Sequence, residues 1–401
     1  MIEVETYPER QVCIAGAGQS EVARPSHKSA CELTTDACLA ALADAGLQLS
    51  DIDGLATYPG LVANGDGSSP VGSTEAMIAL GIKPRWVLSS TEGHAHMGPI
   101  FAAIAAIASG LCRHVLVFRT VAQASARAEV PHAGIIGGGR SMPARTWGGQ
   151  SWTLPYGAVS AACFYGLYAN AYFDRFSVGP EQLGWIAVNA RRMAALNPNA
   201  IYTAPITIDD YLASRVISTP LRLYDCDTHI DGSTALVLSH RDCAGDLRRP
   251  PILFESIGMA LGGIGFGRHD GDFTAMPGAK VAGDMLWSRT DLTPADLDMA
   301  QIYDGFSILT VLWMEALSLC GPGEAARFVE GGERIALDGE LPLNTSGGQL
   351  SAGRFHGYGH IFEACEQLFG RAGSRQIENA ELGIVSNGGF GYGALLLRRS
   401  D

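Results

Sequence analysis

Tyr303 lies in the run Gln301-Ile302-Tyr303-Asp304-Gly305-Phe306-Ser307, and Tyr358 stands two residues after His356; both segments carry glycine and read as loops. Phenols and imidazoles give and take protons, so this set can do acid–base chemistry. A tyrosine with an ordinary pKa of about 10 is a poor base at neutral pH, however, and one member of such a pair needs a nearby cation or hydrogen-bond donors. His356 is the natural choice for that task. Other polar groups sit beside glycines: His94 and His96 in Ser90 to Gly98, Asn344 and Ser346 before Gly347-Gly348, and Asn387 before Gly388-Gly389. Each has a plain reading as well. Tyrosines near glycines mostly pack with one hydrogen bond, alternate loop histidines mostly face solvent or backbone, and Asn344 with Ser346 can brace the turn. Asp304 reads as the cap of a helix beginning near Phe306. Arg191 and Arg192 can meet phosphates, although adjacent helical arginines usually point to solvent.

The nine cysteines, Cys13, Cys31, Cys38, Cys112, Cys163, Cys226, Cys243, Cys320 and Cys365, occur singly, with no C-x-x-C spacing for zinc or redox work. They read as small buried apolar groups in a reducing compartment. With 401 residues, 47% hydrophobic and 17% charged, the chain can bury one or two sizeable cores. A net charge of −13 provides no general field for polyanions, and no Lys/Arg run reads as a nucleic-acid footprint. Any anionic ligand therefore needs a local cationic pocket. Met1 to Arg10 lacks the apolar core of a signal peptide, and no apolar stretch approaches the roughly 20 residues a membrane span requires. The expectation is a cytoplasmic protein with no membrane contact.

To position those loops, the chain offers alternating strands and helices. Val12 to Ala15, Gly54 to Tyr58, Arg85 to Ser89 and His114 to Arg119 read as strands, and Ser29 to Leu47 and Met97 to Ser109 as helices. The Met97 helix is written almost wholly in Ala, Ile and Phe, so it belongs between layers. Thr120 to about Ala200 breaks into Gly/Pro/aromatic stretches with Trp147, Trp152 and Tyr156, then one helix from Pro180 to Leu196; its aromatics suggest a lid or binding region. Asp231 to Ser239 closes a first half. From Pro251 the alternation restarts, with helices at Phe306 to Leu319 and Ile361 to Phe369 and a final strand pair over Leu382 to Arg398. The layouts of Ser90 to Gly110 and Thr345 to Gly370 are similar, which suggests two copies of one α/β unit. The expected division is 1–250, with a lid at about 120–200, and 251–401.

Four segments together resemble the thiolase superfamily, in its sterol-carrier and lipid-transfer branch: Asp231-Gly232-Ser233-Thr234-Ala235, Gln301 to Ser307, Asn344-Thr345-Ser346-Gly347-Gly348, and Asn387-Gly388-Gly389-Phe390-Gly391. The resemblance implies a five-layer αβαβα sandwich of two pseudo-repeated halves whose loops meet at helix N-termini. In that family a cysteine precedes the first buried helix; Ser90 to Gly98 has none, and Asn387 stands where the second cysteine lies. A covalent acyl-enzyme by that family's usual route is thereby excluded. Tyr303 occupies the histidine position of the sterol-carrier His-Asp-Cys-Phe segment. Direct register puts Arg354 opposite the catalytic histidine of the Gly-His-Pro loop, while the register of thiolases that pair with an OB-fold protein puts His356 there, and we take the second.

The cysteine-free combination with Tyr303 and Tyr358 is similar to the acyl-CoA aldolases of steroid side-chain degradation. That likeness implies retro-aldol cleavage of a bulky β-hydroxyacyl-CoA into a ketone and a short acyl-CoA such as propionyl-CoA. It implies Tyr303, Tyr358 and His356 as the catalytic group, with His94, His96, Asn344, Asn387, Gly388 and Gly389 on the substrate. No metal and no permanently bound cofactor is implied, the CoA thioester being substrate. The likeness further implies a homodimer joined to a separate OB-fold/zinc-ribbon protein in a heterotetramer, and Ile100 to Phe118 is expected to supply an apolar dimer surface. Rival readings are an acyltransferase using Cys320 or Cys365, and a non-catalytic acyl-CoA- or lipid-binding subunit.

Overall fold

Strands apolar at consecutive positions need cover on both faces. In β4 (His114–Ala122), β7 (Asp231–His240) and β11 (Gly391–Arg399), alternate residues do go to different clusters. Val115, Val117, Leu236, Leu238, Leu395 and Leu397 share a central core, while Leu116, Phe118, Ala235 and Val237 face a second core and Ala394 and Leu396 a third. The computed structural model describes residues 6–58, 67–89, 95–129, 153–158, 160–261, 272–389 and 391–400.

With β1 (Val12–Gln19), β2 (Gly54–Thr57), β3 (Trp86–Ser89), β8 (Ile252–Leu261), β9 (Met299–Gln301) and β10 (Leu382–Asn387), these strands form a nine-stranded sheet ordered β3-β2-β4-β7-β1-β8-β11-β10-β9. β5 (Val216–Ser218) and β6 (Leu221–Arg222) pair separately. The halves of the large sheet repeat. β1, β7, β4 and β2 run antiparallel, antiparallel and parallel, and β8, β11, β10 and β9 follow the same sequence. The parallel bridge Ala300↔Leu343 takes the place of β3. Among the described residues, the two halves of the sheet join through Cys13↔Leu253 and Ile14↔Ile252, antiparallel.

Helices α1 (Ala30–Ala45) and α2 (Ser73–Leu80) cover the outer face of the first half. Helix α3 (Gly98–Ala108) lies in the central core; α4 (Gln123–Glu129) follows β4. Helices α5 (Ala161–Phe176), α6 (Pro180–Ala194), α7 (Pro277–Trp287) and α8 (Ser307–Ala316) pack on the outer face of the second half. Helix α9 (Tyr358–Leu368) shares the centre with α3. The result is the expected αβαβα layering. No helix among the described residues is long and apolar enough to cross a membrane.

Helix α1 is capped reciprocally by Ser29 and Glu32 and ends at Gly46 with φ +77°. It approaches β1 so closely that a Cβ on Gly18 would overlap the backbone of Ala37 and Ala41. Gly18→Ala should therefore lower the unfolding free energy by about 1–3 kcal/mol, read as a shift of the urea midpoint at unchanged slope.

Two expectations change. Ala161–Phe176, read as irregular, is a helix, because Ala162, Phe164, Tyr165, Ala169 and Tyr172 find a core to face. The surface expected from Ile100 to Phe118 is only in part a surface: Ala105, Ser109, Gly110 and Leu111 are exposed, while Ile100, Ile104, Ile107 and Val115 to Phe118 are buried inside the single chain. Sequence showed their apolarity but not which layer covers them.

Candidate active site

The repeat makes α3 and α9 counterparts, and their N-terminal ends meet. His96 lies in the turn Ala95–Met97 that leads into α3. His356 (φ +51°) and Gly357 (φ +89°) make the left-handed turn that starts α9 at Tyr358. A Cβ on Gly357 would overlap the Asn387 amide, so glycine is what lets the end of β10 reach this turn, where Asn387 Nδ2 donates to the His356 carbonyl. The imidazoles of His96 and His356 stack, centroids 4.6 Å apart at 19°, and Tyr58 closes on His96 at 4.6 Å.

One buried cation serves this cluster. Arg119 in β4 is 1% exposed, and its Nη2 lies 2.8 Å from His356 Nδ1 while also donating to the Ser68 carbonyl. Its guanidinium sits 4.8 Å from the Tyr58 ring centroid. Because a guanidinium only donates, His356 Nδ1 must accept, and the imidazole is neutral. Burial, then His96 and Arg119, hold His356 well below the usual histidine range, and burial, then Arg119 and Arg354, do the same to His96. The Tyr358 hydroxyl is fully buried and has no hydrogen-bond partner among the described residues. Burial pushes its pKa up, and the opposing influence is Arg119.

Tyr303 stands on the loop after β9, its N–H held by Ser386 Oγ at 3.0 Å. Burial, then the Asp227 charge, push its phenol up to about 12, against Arg354 and Gln349. Gln349 Oε1 accepts from Gly357 N–H, in the turn before Tyr358, at 3.3 Å, and its Nε2 is buried with no hydrogen-bond partner among the described residues. Arg354 forks onto Asp227 (3.0 and 3.2 Å) and Gln123 (2.7 and 3.0 Å). Burial raises Asp227 to about 6 despite that pair. Tyr165 packs 5.0 Å from Phe306 and 6.0 Å from Tyr168, which meets Phe273 edge-on at 5.3 Å, giving an aromatic wall on the Tyr303 side.

Of the residues singled out from sequence, His96, His356, Tyr358 and Asn387 come together, and Tyr303 stands on the separate loop after β9. Trp313 Nε1 holds the Gly388 carbonyl at 2.8 Å, which turns the Gly389 N–H to the opposite side of that trans peptide. Asn344 exchanges both an acceptor (2.7 Å) and a donor (2.9 Å) with the Ile302 backbone, a brace for the Tyr303 loop. His94, Trp147, Trp152 and Phe390 lie outside the described residues.

Asp304 does not cap α8. It accepts from Gln349 N–H (2.8 Å) and Leu350 N–H (3.4 Å), and Gly348 at φ +58° leaves room for it, so it ties the Gly-rich turn instead. His360 Nε2 lies 3.0 Å from the same carboxylate, at an angle that makes no hydrogen bond. Of the two ways read for His356 to help the tyrosines, a neutral imidazole leaves only hydrogen-bond donation through Nε2, and the charge that acts on Tyr358 is that of Arg119. Arg119 was missed, although a lone charge in an apolar strand, on the side of Val115, Val117 and Val121, was a signal in the sequence. Arg192 stays exposed, as expected, while its guanidinium donates to Asn189 Oδ1 (2.6 Å) and the Gly332 carbonyl.

No cysteine is placed among these groups. Burial raises the thiols of Cys13, Cys112 and Cys320 to about 12, and those of Cys38, Cys226 and Cys365 further. Both thiols of the acyltransferase reading are thus protonated at neutral pH.

The comparisons agree with this layout. Residues 268–395 match the family "Thiolase C-terminal domain-like". A steroid side-chain-cleaving aldolase of Thermomonospora curvata is 32% identical over 96% of this chain and 97% of its own length. A 17-hydroxy-3-oxo-4-pregnene-20-carboxyl-CoA lyase of Mycobacterium tuberculosis is 32% identical over 90% of this chain and 92% of its own. The solved Ltp2-ChsH2(DUF35) aldolase superposes with a TM-score of 0.86 at 30% identity, covering 98% of this chain and 99% of that one. Duplicated half-sheets, paired central helices, a cysteine-free helix entry and these relatives converge: the chain belongs to the thiolase superfamily, in the branch that holds the steroid side-chain-cleaving aldolases.

Proposed function

We propose that this chain is an aldolase that cleaves a bulky β-hydroxyacyl-CoA, of steroid or bile-acid side-chain type, into a ketone and a shorter acyl-CoA such as propionyl-CoA. The observation that carries the reading is the Tyr358 hydroxyl, fully buried beside a permanent cation and bonded to nothing described. An unsatisfied buried hydroxyl costs free energy unless a ligand engages it. As base, Tyr358 takes the β-hydroxyl proton, with the Arg119 charge favouring its ionised form against burial; the Cα–Cβ bond breaks, its electron pair passing into the thioester enolate as the β-carbon becomes the ketone carbonyl. Tyr303, where the Asp227 charge adds to burial against ionisation, returns a proton to Cα. Asn387 and the Gly388 and Gly389 N–H groups hold the thioester oxyanion, and the aromatic wall of Tyr165, Tyr168 and Phe306 covers the acyl body. No covalent intermediate forms.

The relative named Ltp2-ChsH2(DUF35) supports a second protein as partner, which we assign to the OB-fold/zinc-ribbon class, on a homodimeric core in the cytoplasm. Sedimentation of the chain alone and with such a partner tests this. A stable monomer at micromolar concentration contradicts the dimer, and full activity of the isolated chain removes the need for a partner.

Mass spectrometry after incubation with a panel of β-hydroxyacyl-CoA thioesters tests the chemistry. Ketone and shortened acyl-CoA without protein adduct are expected. An acyl adduct on a cysteine would revive the acyltransferase, and binding without turnover would leave a carrier.

A further inference from the structure

Asp231, at the head of β7, gathers two loops. Its Oδ2 accepts from Ser26 N–H (2.9 Å), its Oδ1 from Ala124 N–H (2.9 Å), and Ser125 adds its N–H and hydroxyl. The segment after β1 and the first turn of α4 are thus fixed to one carboxylate, with Arg24 on the first and Arg127 on the second. The Arg24 guanidinium lies 5.5 Å from the Tyr202 ring centroid, and that of Arg191 lies 4.6 Å from the same centroid and 5.2 Å from Tyr224. Tyr202 is held to the Gly-rich turn by its N–H on the Ser351 carbonyl at 3.0 Å. Inward of Arg127 stands Arg354, two residues before His356.

Four guanidiniums therefore line one rim, from the reacting groups out to the surface. The carboxylates facing it are Asp227, paired with Arg354, Asp231, engaged by backbone N–H groups, and the exposed Glu21, which accepts from the Ser26 hydroxyl. Arg127 is half-buried and no hydrogen bond or ion pair holds it among the described residues; its pKa is lowered by burial, then by Arg354 and, more weakly, Arg24. His229 registers the same positive field, held down to about 2 by burial, then Arg354, Arg127 and Arg24. In a chain of net charge −13, an excess of cations on one rim opposes the overall charge and stores repulsion that an anion relieves.

We propose that Arg24, Arg127 and Arg191 bind the phosphate groups of the CoA carrier, with Arg354 turning the arm inward so that the thioester reaches Tyr303 and Tyr358. This rests on the acyl-CoA reading above and assigns its anionic end. Guanidiniums suit phosphate oxygens through paired N–H donors.

The test measures affinity of the full chain for CoA and dephospho-CoA, and turnover of matched acyl-CoA and acyl-pantetheine thioesters. In Arg127→Gln, and in the Arg24→Gln/Arg191→Gln double variant, CoA affinity should fall at least about tenfold. The ratio of kcat/KM for the CoA thioester to that for the pantetheine thioester should fall by the same factor, and high salt should weaken CoA binding to the parent more than to the variants. Arg127→Lys, which keeps the charge, should restore part of the loss and serves if the Gln variant is unstable. Unchanged CoA affinity in both Gln variants, or an equal loss on the pantetheine thioester, overturns the assignment. Arginine-dependent CoA binding without any cleavage would sink the aldolase reading and leave this site standing; cleavage that ignores the arginines would do the reverse.

Discussion

Tyr358→Phe should yield a protein that folds at least as firmly as the parent and has all but lost cleavage. The two outcomes separate cleanly because the hydroxyl is buried without a partner. Deleting an oxygen that makes no hydrogen bond removes a desolvation cost, so the thermal midpoint should stay or rise. Catalysis loses its base, and positioned acid–base groups contribute roughly 10²–10⁴-fold. Tyr303→Phe should show a loss of the same order with only a small stability change. Packing tyrosines would give the opposite signature, a lowered midpoint with turnover kept, and that result would sink the tyrosine mechanism.

Replacing Arg119 should be nearly as damaging, through a different route. Arg119 opposes the burial that raises the Tyr358 pKa. Arg119→Gln therefore lifts that pKa further, and the limb of the pH–rate profile that requires phenolate should move to more alkaline pH. At neutral pH turnover should fall accordingly, since each unit by which the pKa rises leaves about one tenth of the phenolate. Arg119→Lys keeps a cation but cannot reach both His356 Nδ1 and the Ser68 carbonyl with planar geometry, so it should recover part of the rate and part of the shift. A profile whose alkaline limb stays in place in Arg119→Gln would show that Arg119 only holds the His356 turn.

Much of the architecture could be read from apolar runs, since strands such as His114 to Arg119 and the polar-free helix at Met97 admit only a layered, doubly covered arrangement. The missing thiolase cysteines were equally plain, because they are absent residues at recognisable positions. What failed were readings that depend on partners remote in sequence. Asp304 looks like a helix cap by its spacing from Phe306, yet its hydrogen bonds go to Gln349 and Leu350, some 45 positions away. His356 offered a cation or a donor from sequence alone, and it is Arg119, 237 residues apart from it, that takes up His356 Nδ1 and leaves the imidazole neutral. The helix Ala161–Phe176 has aromatic residues on several sides and little periodicity; it is the core of the second half that selects its helical form.

The meeting of the half-sheets at β1 bears on how the chain reaches this state. Both hydrogen-bonded neighbours of β1 come late: Val12 pairs with His240, and Ile14 with Ile252. A strand buried on both faces thus emerges from the ribosome with its natural mates still unmade, and must stay soluble through most of synthesis. Contacts of such sequence separation make folding slow and leave an apolar edge open to wrong partners. Chaperone dependence during biosynthesis, and a tendency of prematurely ended chains to aggregate, follow from the same register that brings the two central helices face to face.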